Sequence, residues 1–97
     1  MNDFEFCRTR LDEIVAMTLS PGELGAEVHD FLTKRMPTDA SHRMKLRAWA
    51  QTDLTEHEAL ISRRDYLGKL SAINHRMAML QTVIGELDAV PSDADVH

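Results

Sequence analysis

Apolar residues recur at steps of three and four along most of the chain, which is the spacing of one face of an α-helix. No segment shows the sustained alternation of β-branched and polar residues that marks a half-buried strand. The first apolar stripe consists of Phe4, Cys7, Leu11, Ile14, Val15 and then Thr18 or Leu19. It predicts a first helix from about Asp3 to Leu19 in an all-α protein.

A second helix is predicted to begin at segment 20–23. Ser20 suits the N-cap position, Pro21 suits the first helical position because its missing N–H is not needed there, and Glu23 completes a capping box. The apolar face of this helix ends before Pro37, which cannot continue a helix.

The remaining chain is predicted to form a short helix and then a long one. Thr38 or Asp39 can cap the short helix, which is expected from Ser41 to Gln51. Segment 55–58 has the form of a further capping box and is expected to open a long helix from about Glu56 to Leu87.

The length of this last helix bears on the oligomeric state. At the usual rise per residue it would be about 48 Å long, whereas a compact chain of this size is only about 30–35 Å across. We therefore expect the helix either to break, with Gly68 as its weakest point, or to pack against a second copy of the chain.

The apolar stripe of the last helix follows alternating steps of four and three over three heptads, the pattern of left-handed knobs-into-holes packing. We call these residues the seam: Tyr66, Leu70, Ile73, Met77, Leu80, Ile84 and Leu87. A second apolar flank makes the stripe wide enough for a bundle. The sequence predicts a small helical bundle over 1–90 with one long C-terminal helix, followed by a flexible acidic tail at 91–97. The seam is expected either to form a homodimer or to pack within one chain.

Composition and charge narrow the functional classes. The chain has 97 residues and a net charge of −5, with no apolar run long enough to cross a bilayer and no apolar leader at the N-terminus, so a cytoplasmic protein is predicted. Residues 1–30 carry a charge of −5, residues 31–76 carry +4 and residues 77–97 carry −4. An acidic chain is a poor non-specific DNA binder, but its basic middle keeps a local site possible.

Few residues point to catalysis or to a cofactor. The single Cys7 cannot form an internal disulfide, and the five histidines form none of the close pairs that bind metals, so no metal or cofactor is expected. Arg8, Arg10 and Lys69 raise the alternative of a small helical chorismate mutase, but the first helix is interrupted at position 20, and we expect no enzymatic activity. Arg76 is interpreted as an ordinary surface residue.

The stretch Tyr66–Pro91 resembles the C-terminal helix of TraM-type antiactivators. The family pattern M-x-x-L-x-T-x-I-x-x-L-G-x-x-P is matched at Met77, Leu80, Thr82, Ile84, Leu87 and Pro91. Asp88 stands where the family has glycine, and the match covers about a quarter of the chain. The resemblance implies a helical homodimer without enzymatic activity or cofactor. It implies a role in quorum sensing and conjugation, namely binding a LuxR-class activator such as TraR and blocking its DNA binding.

A DNA-binding domain presents a basic surface, so acidic residues of this chain are expected to steer the encounter. The candidate partner surface comprises Asp12, Glu13, Glu23, Glu27 and Asp30, with Met79 and Val83 as apolar anchors. The alternative function is that of a small helical DNA-binding regulator. In that case Arg43, Lys45 and Arg47 near Trp49 would contact DNA, and segment 37–39 would be the turn of a helix-turn-helix.

Overall fold

Four α-helices make up the part of the chain that the computed structural model describes, which is residues 2–17 and 20–90. They are α1 (Asp3–Ala16), α2 (Pro21–Arg35), α3 (Ala40–Ser62) and α4 (Leu70–Asp88). These two ranges contain no strand, so the all-α class and the helical bundle are confirmed. The tail expected at 91–97 lies outside the described residues.

The first two helices begin where predicted, and each has a side-chain cap. The Asn2 side chain accepts a hydrogen bond from the Glu5 amide at 2.8 Å, which caps α1. Ser20 Oγ accepts from the Glu23 amide at 3.3 Å and donates to the Glu23 carboxylate at 3.0 Å, with Pro21 as the first residue of α2. Helix α1 ends at Ala16, and the predicted end at 18–19 lies outside the described residues.

The third helix is longer than predicted and the single helix expected over Glu56–Leu87 is absent. Asp39 caps α3 as expected, but α3 continues to Ser62. The predicted capping residue Thr55 lies inside α3, where its hydroxyl accepts a hydrogen bond from the Gln51 side chain at 3.3 Å. Its side chain therefore bonds within the helix instead of capping a new one.

A turn at residues 63–69 separates α3 from α4. Arg64, Leu67 and Gly68 have φ angles of 55°, 32° and 83°, which is the left-handed region that an α-helix cannot contain. The backbone thus leaves α3 and turns back into α4, and the break falls at Gly68 and its neighbours. The length argument for a homodimer no longer applies, because α4 has only 19 residues.

Helix α4 packs mainly against α3 and α2, and α1 packs against all three of the other helices. Buried residues from all four helices form one core cluster: Cys7, Leu11, Ile14, Leu24, Val28, Leu32, Leu46, Ala50, Leu54, Met79, Leu80, Val83 and Leu87. Helices α2 and α3 are consecutive but do not pack against each other. The molecule is elongated, with extents of 49 × 25 × 25 Å.

Tyr66 of the seam lies in the turn before α4, and the rest of the seam divides into two rows within α4. Ile73, Leu80 and Leu87 are buried, and the last two belong to the core cluster. Met77 and Ile84 are only partly buried at the edge of that core, while Leu70 is 39% exposed. One row of the seam therefore packs within the chain and the other remains accessible.

Candidate protein-interaction surfaces

The two predicted apolar anchors are core residues. Met79 and Val83 each have 0% of their surface exposed and lie in the core cluster with Leu80. They face inward because α4 packs against the other helices on the side that carries Met79, Leu80, Val83 and Leu87. The prediction that Met79 and Val83 contact a partner is therefore wrong for the folded chain.

The predicted acidic residues lie on α1 and α2, and several are paired within the chain. Glu13 accepts a hydrogen bond from Arg10 at 3.0 Å, and Asp30 accepts one from Lys34 at 3.1 Å. Glu23 is part of the α2 cap. Glu27 is exposed and lines a shallow groove between α1 and α2 together with Asp30. The acids thus do not form one uniform surface.

Asp12 points instead to α4, where it joins a polar cluster centred on Arg76. The Arg76 guanidinium donates to Asp12 at 3.1 Å and to Asp53 of α3 at 2.9 Å, and it lies 5.9 Å from the centre of the Trp49 ring. His57 Nδ1 lies 2.9 Å from the Asp53 carboxylate. Three helices are joined by this cluster, so Arg76 is not the ordinary surface residue expected.

The positive charge of Arg76 and the carboxylates of Asp53 and Asp12 stabilise one another. Burial alone lowers the pKa of the Arg76 guanidinium, but hydrogen bonds and charge attraction from Asp53 and Asp12 outweigh burial, so the pKa is raised above its ordinary value. Arg76 therefore stays fully charged and holds both carboxylates. The sequence signal that could have found it is weak, because the two acids lie 23 and 64 residues away.

The outer face of α4 carries no charged side chain over most of its length. Its exposed residues there are Leu70, Ser71, Asn74, Gln81 and Gly85. The accessible row of the seam borders this face. In a chain in which 28% of residues are charged, an uncharged helix face of four turns differs from the rest of the surface.

A second apolar surface lies at the end of the bundle where α1 stops and α4 starts. Val15 and Met17 of the α1 end face Gly68, Ser71 and Ala72 across a groove. Lys69, His75 and Arg76 also line this groove.

Two of the three cations at the start of α3, Arg43 and Arg47, bond within the chain, and Lys45 is exposed. Arg43 donates to the backbone carbonyls of Pro37 and Thr38 at 2.9 and 2.8 Å. Arg47 binds Asp88 of α4 at 2.7 Å, and hydrogen bonding to Arg47 holds the pKa of the Asp88 carboxyl below its usual value. Segment 37–39 does link α2 to α3, but the lack of packing between those helices is unlike a helix-turn-helix.

Other candidate chemistry is buried or dispersed. Cys7 is buried, its thiol lies 3.5 Å from the Arg35 carbonyl, and burial together with the charge of Asp3 raises its pKa to about 11, despite the opposing charge of Arg35. Within residues 2–17 and 20–90, no three His, Cys, Asp or Glu side chains converge as metal ligands would. None of the helices described is both long and apolar enough to cross a membrane.

Comparison with known proteins adds no assignment to these surfaces. No protein-family model matches the chain, and neither a curated protein nor a solved structure shows significant similarity to it.

Proposed function

We propose that this chain is a regulatory interaction protein, a homodimeric antiactivator that binds a LuxR-class transcription activator and blocks its DNA binding. It acts by protein–protein contact, without a catalytic centre or a cofactor, in the cytoplasm. The observation that carries the proposal is the uncharged outer face of α4. This face lies within the stretch that resembles TraM-type antiactivators.

The same face supports the homodimer. In a two-fold interface a residue near the axis meets its own copy, so a charged face would repel itself. The α4 face avoids such repulsion because its exposed residues from Leu70 to Gly85 are uncharged. Met77 and Ile84 are partly buried beside them. Two α4 helices can therefore pack along this face without bringing like charges together.

Introduction of charge on this face provides the test of the dimer. The variant Gln81→Lys places two positive charges close to the dimer axis and should convert a particle of twice 11.0 kDa into one of 11.0 kDa in light scattering. The matched control is Gln51→Lys, which makes the same change at an exposed position of α3. A wild-type protein that scatters as 11.0 kDa at tens of micromolar would refute the dimer.

Direct binding tests the antiactivator function. We expect the protein to bind purified TraR or another LuxR-class activator and to release that activator from its DNA site in a mobility-shift assay. The DNA-binding alternative is tested in the same assay without activator. Retention of DNA by the chain alone, with a steep dependence on salt, would favour that alternative.

A further inference from the structure

The turn at residues 63–69 is strained in the closed form, in which α4 folds back on its own α3. Arg64 and Leu67 have φ angles of 55° and 32°, a region that residues with a β-carbon adopt only at a cost in free energy. The hydrogen bonds described within the turn join backbone groups, for example the Lys69 amide with the Tyr66 carbonyl at 2.6 Å. Leu67 is 91% exposed, so its side chain gains little packing that could offset this cost.

The amino-acid sequence of this turn suits a helix. Residues 63–69 contain no proline and only one glycine, and arginine, leucine and lysine are good helix formers. The alternating steps of four and three in the seam also begin inside the turn, at Tyr66, and continue through Leu70 and Ile73. The same spacing would run without interruption in a single helix from Ala40 to Asp88. The local sequence therefore favours a straight connection, while the closed form imposes a strained one.

A straight connection requires a second copy of the chain. Helix α4 contributes Met79, Leu80 and Val83 to the core, and an extended α4 would expose these side chains to water. Two extended copies avoid this exposure if each α4 fills the place of α4 in the other copy, with the same contacts. The hairpin is suited to such an exchange because α3 and α4 are antiparallel. Arg47 near the start of α3 binds Asp88 at the end of α4.

We infer that the chain forms a domain-swapped dimer, in which α3 and α4 join into one helix and α4 packs on α1, α2 and α3 of a second copy. The core contacts are the same in both forms, so their balance depends on the turn and on the protein concentration. A short hinge under strain favours such an exchange. The inference goes beyond the proposed function, because the outer face of α4 stays on the surface in both forms and neither activator nor DNA is involved.

Chemical cross-linking identifies which chain supplies α4. A parent variant, Arg47→Cys with Asp88→Cys, places two thiols at an exposed contact between α3 and α4, where a short bis-maleimide can join them. The closed monomer, and a dimer through the outer face of α4, keep this contact within one chain, so the product has 11.0 kDa in a denaturing gel. A swapped dimer joins two chains and gives twice that mass. Cys7 is buried and reacts slowly during a brief exposure to the reagent.

The amount of two-chain product should depend on concentration and on the turn. Refolding the parent variant from urea at about 1 mM should give this product, and refolding at about 1 µM should give at least about tenfold less of it. Gly68→Ala should raise the product by about tenfold at a concentration where the parent gives little, because alanine is strained at a φ of 83° but favours a straight helix. Gly25→Ala, inside α2, is the matched control and should change the product by no more than about twofold.

A longer turn tests the exchange in the opposite direction. Two glycines inserted after Gly68 relieve the strain and disfavour a continuous helix, so the two-chain product should fall at least about tenfold. If Gly68→Ala does not fold, the parent and this insertion variant still test the exchange. A one-chain product alone from the parent at about 1 mM would overturn the inference. Equal two-chain product with and without the inserted glycines would also overturn it, because the strained turn would then have no part in the exchange. Neither result bears on whether the protein releases an activator from DNA.

Discussion

At the scale of single residues, Arg76 shows how one side chain can join elements that are distant in sequence. Its guanidinium is 25% exposed and lies between carboxylates of α1 and α3, with the Trp49 ring alongside. A sequence pattern identifies Arg76 as polar and beside the seam, but it gives no information on partners 23 and 64 residues away. Arg76 is thus part of the packing between α1, α3 and α4.

Removal of this side chain should destabilise the fold. We expect Arg76→Ala to lower the free energy of unfolding by about 1–3 kcal/mol, because it leaves the half-buried Asp53 without its main partner. The measurement is urea unfolding followed by circular dichroism. Arg63→Ala, at an exposed position in the turn, is the control and should change stability by no more than about 0.5 kcal/mol. Equal midpoints for the two variants would contradict a structural role for Arg76.

Cys7 should react slowly in the folded protein. Its raised pKa, about 11 compared with 9.0 for an ordinary thiol, leaves about a hundredfold less thiolate near pH 8, and burial restricts access further. We expect a disulfide reagent such as dithionitrobenzoate to modify Cys7 at least about a hundredfold faster in urea than in buffer. The folded protein should also lose stability as pH rises from 9.0 towards 11, because the unfolded thiol ionises first. Rapid modification of the folded chain would show that Cys7 is not buried.

At the scale of elements, the sequence predicts helices well where a local signal marks their ends. The Ser20 cap and Pro21 mark the start of α2, and Asp39 marks the start of α3. The turn at 63–69 is hard to predict because two of its left-handed residues are Arg64 and Leu67, which carry no signal for such a conformation. Thr55 presents the opposite difficulty, since its capping pattern occurs inside a continuous helix.

The interaction surfaces are predictable only in part, because local sequence patterns do not show which helices will surround a given face. Heptad spacing identifies the seam, but it cannot tell that Leu80 faces the core while Leu70 remains accessible. That division depends on how α1, α2 and α3 surround α4, and these contacts are long-range. Met79 and Val83 lie outside the heptad rows and so resemble spare apolar residues in the sequence, yet they face the middle of the bundle.

The turn provides a paired test of this description. Gly68 has a φ of 83°, and a methyl group added there would meet no neighbour within 4 Å, so Gly68→Ala should cost about 1–2 kcal/mol through backbone strain alone. Gly25 lies inside α2, also in open space, and Gly25→Ala should stabilise the protein by about 0.5–1 kcal/mol. The same substitution thus has opposite signs at the two sites in thermal unfolding. Stabilisation by Gly68→Ala would mean that α3 and α4 form one continuous helix.

At the scale of the whole molecule, the fold redistributes the charges that run in blocks along the sequence. Arg47 and Arg76 of the basic middle bind Asp88 and Asp12 of the acidic ends. What remains is an acidic chain with Glu13 and Glu27 exposed on α1 and α2. An acidic field on these helices can orient a basic partner before contact.

Electrostatic steering by the acidic helices can be measured as an association rate. Reversing two exposed acids, Glu13→Lys with Glu27→Lys, should slow association with a LuxR-class activator and reduce the dependence of that rate on salt. Dissociation should change little, because exposed charge pairs contribute only about 0–1 kcal/mol each. Stopped-flow or surface-plasmon kinetics at several salt concentrations provide the measurement.

The control for this experiment separates the position of a charge from its amount. Glu58→Lys with Asp65→Lys produces the same change in net charge at exposed positions of α3 and of the turn that follows it, and neither residue lines the groove between α1 and α3 or the groove between α1 and α2. If steering depends on the faces of α1 and α2, this control should retain most of the wild-type association rate. If both double variants slow association equally, net charge alone governs the encounter. If neither alters the rate or its salt dependence, the acids of α1 and α2 play no part, and an antiactivator would have to meet its target through another face.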